Sequence, residues 1–144
     1  MNDAPPRTTT LPDHVRRFLA EPHFATIATS DADGLPRQAV IWYLFDDGDL
    51  VINSRVGRRW PTNLVRDPRI SVAVMDESDP LHWVGLVGVA GVAAEGPPAQ
   101  AAIAAMARRY EADPGTAERK IREFERQERI TFRVRVASFH DHLD

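Results

Sequence analysis

The chain has 144 residues, 43% of them apolar and 27% charged, with a formal net charge of -3. That is enough for one compact domain and too little for two, and the charge gives no reason to expect nucleic acid or an anionic membrane as partner. Cysteine is absent, which excludes a disulfide framework, a cysteine nucleophile and a thiolate metal site. Of 18 basic residues only Lys120 is a lysine, so electrostatic recognition falls to arginine and its planar, forked donors.

Residues 1–10 are polar and proline-containing and read as a flexible tail, without the apolar run of a signal peptide. Residues 11–144 read as a single domain, expected in the cytoplasm. The spacing predicts a helix over 12–20, capped by Thr10, with Leu11, Val15, Phe18 and Leu19 on one face. A strand over 24–29 follows, then the turn Asp31-Ala32-Asp33-Gly34, a strand over 38–45, the turn Asp46-Asp47-Gly48-Asp49 and a strand over 50–54. Together these read as two hairpins in series. The strand over 38–45 is apolar on both faces, which calls for cover on both sides, as in a closed barrel or a dimer interface. A short helix is expected over 57–65 and strands over 70–75 and 83–95. Two helices follow, one opened by Pro97-Pro98 and one over 116–127. The last strand alternates Ile130, Phe132, Val134 and Val136 with polar positions, and Arg133 and Arg135 read as solvated surface. The total is six strands.

The segment from Asn53 to Leu64 carries the most chemistry. It leaves a strand, passes Gly57 and enters a helix, with Arg55, Arg58 and Arg59 flanked by Asn53, Ser54, Thr62 and Asn63. A helix N-terminus beside guanidinium forks suits a phosphate, and a solvated basic loop is the plainer reading. It is not a Walker A loop, since the glycine spacing and the lysine are missing. Gly85, Gly88 and Gly91 interrupt a strand rather than join a strand to a helix, so they mark bulges or close backbone approach and not a dinucleotide fingerprint. Asp31-Ala32-Asp33-Gly34 lacks the twelfth-position glutamate of a calcium loop. No Gly-x-Ser-x-Gly elbow exists. His140-Asp141-His142 reads as a solvated tail, and no metal site is expected. Trp42, Trp60 and Trp83 fall on three separate elements, where each packs in a core or lines a pocket for a flat ligand.

The order of elements and these motifs resemble the pyridoxamine-phosphate-oxidase-like split β-barrel proteins, and within them the group that binds flavin or the deazaflavin coenzyme F420. The resemblance rests on His23 to Thr29, on Gly34-Leu35-Pro36 through Trp42-Tyr43, and on Gly57-Arg58-Arg59 with Asn63-Leu64 and Arg66 to Ser71. It implies a mainly β, α+β fold: a six-stranded antiparallel split β-barrel with peripheral helices. It also implies a homodimer with two sites at the interface. The cofactor phosphate would meet Asn53, Ser54, Arg55, Arg58 and Arg59. The ring would lie along Gln38, Ala39, Val40, Ile41 and Trp42, with Asn63 nearby and Trp83 closing the site from the other subunit. Trp60 stands where family members commonly carry a lysine. The implied activity is hydride transfer from reduced F420 to a small conjugated acceptor. The alternatives are an FMN-dependent oxidoreductase of the same fold and a non-catalytic binder of F420, FMN or haem. Tyr43 and His82 are the candidate acids near the ring, and no catalytic residue is assigned.

Overall fold

The computed structural model describes residues 9–144, so most of the expected tail lies outside the described residues. Four helices and seven strands follow in the order α1 (Asp13–Leu19), β1 (Phe24–Ser30), β2 (Pro36–Ile41), β3 (Leu44–Asp46), β4 (Asp49–Arg55), α2 (Arg59–Arg66), β5 (Arg69–Asp76), β6 (Asp79–Glu95), α3 (Pro97–Tyr110), α4 (Pro114–Phe124) and β7 (Arg129–His142). Pro12 rather than Thr10 precedes the first turn of α1, with no side-chain cap. Among the described residues no helix is long and apolar enough to cross a membrane.

All seven strands join one antiparallel sheet in the order β2-β1-β5-β6-β7-β4-β3. The expected strand over 38–45 is therefore two strands, β2 and β3, at opposite edges of the sheet. The break falls at Trp42-Tyr43 for a specific reason. The Tyr110 hydroxyl accepts from the Tyr43 N–H at 3.3 Å, and its one proton is shared between the His23 carbonyl at 2.6 Å and the Tyr43 carbonyl at 3.1 Å. With those groups satisfied, the ladder can end there. The Tyr43 side chain is fully buried, and its hydroxyl meets the carbonyls of Leu19 and Glu21 at 2.9 and 3.0 Å.

This break constrains the whole sheet. Ile41 and Leu44 are three residues apart in the chain, a reach of about 11 Å at most. Seven flat strands at about 4.8 Å spacing would put their edges about 29 Å apart. The sheet must therefore curl until β2 and β3 come close, leaving a seam that no ladder closes. β1 with β2, and β3 with β4, form the two expected hairpins. The second turns through Asp47 and Gly48 at positive φ, as a two-residue hairpin requires.

The core fills the inside of the curl with Ile27, Leu50, Ile52, Leu86, Phe132 and their neighbours, and Trp60 and Leu64 of α2 belong to it. The glycines of β6 work as close-approach positions. A Cβ on Gly88 would stand 2.2 Å from the Arg135 carbonyl oxygen. That is where the β6–β7 register shifts, pairing Val87 with Ser138 but Gly88 with Val136. Arg133 and Arg135 are not free surface: both pair with the fully buried Asp49 at 2.7 Å, and Arg133 also reaches Asp46.

Candidate functional site

The arginine segment runs off the end of β4, turns at Gly57 with φ 97°, and enters α2 with Arg58 at the N-cap. This geometry separates the three arginines. Arg59 turns toward the β1–β2 turn, where Asp31 holds it at 3.0 Å and Arg37 at 2.6 Å. Asn63 joins the same group, donating to Asp31 at 3.0 Å and to Thr29 at 3.1 Å. Hydrogen bonds from Arg37 and Asn63, then the charge of Arg37, lower the Asp31 carboxyl to about 2. Arg59 thus has a carboxylate partner within the chain, which it shares with Arg37.

Arg58 faces a different cleft of about 160 Å³, lined by Ile41, Trp42, Asn53, Ser54, Arg58, Trp60, Ile103, Met106, Phe124 and Arg129. It opens between the end of β2, the end of β4, the start of β7 and the α3–α4 pair. Six of the sequence-predicted residues meet here. Trp60 does so from within the core, 8% exposed and tilted against Phe132. Trp42 is held by two neighbours: Tyr110 stacks on it at 5.4 Å, and the Lys120 ammonium lies 5.4 Å from its ring centroid. The only lysine is itself paired with Glu111.

Arg129 is the residue that sequence reasoning missed. It lies at the first position of β7, directly opposite Arg55 on β4. It is 8% exposed. Its Nε donates to Asn53 Oδ1 at 3.0 Å, one Nη donates to Gln127 Oε1 at 2.7 Å, and its guanidinium lies over Phe124 at 4.8 Å. These partners are neutral. Burial first, then repulsion from Arg58 and Arg55, lowers its pKa to about 10. Among the described residues no carboxylate pairs with Arg55, Arg58 or Arg129. A buried cation flanked by two more and left without a counter-charge is unfavourable unless an anion joins it.

Asn53 presents no spare donor to that anion. Its amide donates to the Ala99 carbonyl and to Thr131 Oγ1, both at 2.9 Å, while its oxygen holds Arg129. It positions the guanidinium. Ser54 lines the cleft beside it.

The remaining predicted residues lie elsewhere. Gln38 and Val40 are exposed and Ala39 is half-buried on β2, whose far side is a free sheet edge. Trp83 sits on the outward face of β6, stacked on His142 at 4.3 Å, and does not line the cleft. Neither candidate acid lines the cleft either. Tyr43 is spent in the core, where burial raises its pKa. His82 stands edge-on to Phe18 beside α1.

Comparison with known proteins follows this geometry. A family model described as pyridoxamine 5'-phosphate oxidase matches residues 11–141. A solved structure named F420 reductase is 21% identical with a TM-score of 0.71, covering 90% of this chain and 98% of its own. A conserved hypothetical protein from Mycobacterium tuberculosis, Rv2991, is 25% identical with a TM-score of 0.72, covering 97% and 90%. HutZ, the haem storage protein from Vibrio cholerae, is 18% identical with a TM-score of 0.68, covering 92% and 95%. Among curated proteins, none matches the sequence.

Proposed function

The chain belongs to the pyridoxamine 5'-phosphate oxidase family, and from its arginine-lined cleft we propose that it is an oxidoreductase that binds coenzyme F420 and serves hydride transfer to a small conjugated acceptor. The observation that carries the reading is the pair Arg58 and Arg129, which line the cleft with no carboxylate partner among the described residues, while the exposed Arg55 stands opposite Arg129 on β4. A phosphate there meets charge-assisted donors in a partly buried setting, each worth about 1.5–3 kcal/mol. The Ser54 hydroxyl adds a donor at the same end of the cleft. The free edge of β2 offers unpaired backbone groups for the polar rim of a flat ring. Trp42, held by Tyr110 and Lys120, supplies a wall rather than a stacking face.

When bound, reduced F420 supplies the hydride. The protein's own part is positional. Arg58 and Arg129 hold the anion, Asn53 fixes Arg129, and Ile41, Ile103, Met106 and Phe124 exclude water from the apolar side. No carboxylic acid, histidine or tyrosine of this chain lines the cleft, so the proton for the acceptor comes from solvent, from the acceptor's own groups or from the second copy.

A cleft of about 160 Å³ in one chain is smaller than the ~300 Å³ at which small-molecule sites usually begin. The rest of the site is supplied by a second copy in a homodimer. Exposed Val40 and Leu35, at 68% and 49%, lie on and beside β2 where that copy would pack. Sedimentation checks this: a dimer at micromolar concentration is expected, and a monomer contradicts it. FMN offers the same phosphate chemistry, so spectroscopic titration with F420 and FMN in parallel tests the cofactor. Binding of F420 that depends on Arg58 and Arg129 is expected, and tight FMN binding with none for F420 would move the reading to a flavin enzyme.

A further inference from the structure

The register shift in β7 re-aims the C-terminal histidines. Up to Val136 the even-numbered residues Ile130, Phe132, Val134 and Val136 face the core. Ala137 is the extra residue, because Ser138 pairs with Val87 while Val136 pairs with Gly88. Beyond such a bulge the alternation inverts. The odd-numbered Phe139 and Leu143 then pack against the core, and His140 and His142 both turn outward on one face. There they stand opposite Gly85 and Trp83 of β6.

Both imidazoles are exposed, as expected of this segment, but both pack against Trp83. His142 stacks on Trp83 with centroids 4.3 Å apart and planes within 8°. His140 stands edge-on to Trp83 at 5.4 Å. Its ring lies across Gly85, where a Cβ would come within 2.3 Å of Nε2. Asp141 faces the other way and holds His14. The two imidazole centroids are 5.9 Å apart. An ion bound through a ring nitrogen at about 2.0 Å sits roughly 3.2 Å from that ring's centroid, so one ion can bridge two rings up to about 6 Å apart.

We infer that His140 and His142 form a bidentate site for a divalent first-row transition ion, with water completing its coordination. Two imidazoles favour copper over nickel and zinc. The indole packs against both rings, and the bulge puts both on one face. The site is separate from the arginine-lined cleft and does not depend on the cofactor reading.

The test uses the whole protein stripped with chelator and titrated with Cu²⁺, read by calorimetry and by tryptophan fluorescence. Saturable binding of one ion per chain at micromolar Cu²⁺ is expected, with quenching of the fluorescence. His140→Ala and His142→Ala should each lose saturable binding in that range, while His14→Ala and His82→Ala retain it. Trp83→Phe should keep the heat and lose most of the quench. Absence of saturable binding in the native protein, or unchanged binding in a folded His140→Ala/His142→Ala variant, overturns the site.

Discussion

Replacing Arg129 by glutamine separates a ligand-binding arginine from a structural one. In the unliganded chain, burial and then the neighbouring Arg58 and Arg55 hold its pKa down to about 10, so keeping it charged costs stability. Because the folded value is the lower one, that penalty is fully present at neutral pH. It is relieved only as pH rises past about 10. Arg129→Gln removes the penalty and gives up the bonds to Asn53 and Gln127 and the contact with Phe124. These terms oppose each other, so the unliganded stability should stay within about 2 kcal/mol of the native value, whereas breaking a buried ion pair costs about 3–5 kcal/mol. Affinity for the phosphate-bearing cofactor should fall by about 1.5–3 kcal/mol, roughly 10- to 150-fold. Denaturant unfolding without ligand and spectroscopic titration with it give the two readings. A variant that loses more than about 3 kcal/mol of stability yet binds the cofactor unchanged refutes the reasoning.

Arg58→Ala should weaken cofactor binding strongly and Arg59→Ala little, because Asp31 already holds Arg59; equal losses in parallel titrations would count against the division of the loop. Asp31 sits at about 2, below its ordinary 3.8, so its contribution to stability is present above pH 3.8 and is lost as pH falls toward 2. Asp31→Asn should flatten that acid limb in unfolding measured across pH. Gly88→Ala should cost about 1–3 kcal/mol through the clash with the Arg135 carbonyl, read as a lower melting temperature. Tyr43→Phe should lower stability by about 1–3 kcal/mol while leaving cofactor affinity intact, the opposite of what an acid in the site would show.

Much of the fold was legible because local chemistry set it. Asp47-Gly48 made a hairpin turn, Pro97 opened α3, and the alternation over Ile130 to Val136 gave the inner face of β7. What could not be read were events fixed by partners distant in the chain. The strand over 38–45 breaks because Tyr110 takes the backbone of Tyr43, and nothing near residue 43 announces this. The bulge at Ala137 depends on which glycine of β6 lies opposite, so the outward turn of His140 and His142 was hidden behind an unbroken alternation. Within the site, the sequence located the loop but not its division. Arg58 and Arg59 are neighbours in the chain, yet they enter α2 pointing at different partners. Arg129 sits in a run of charged residues that looks like solvated surface, and only the pairing of β4 with β7 brings it beside Arg55.

The central claim is that the cleft around Arg58 and Arg129 holds the phosphate of a deazaflavin, and the direct measurement is a titration of the purified chain with F420 followed by its absorbance. Saturable binding that Arg58→Ala and Arg129→Gln each weaken is the expected result. No binding of F420 by a folded chain, or binding that neither replacement alters, contradicts the claim.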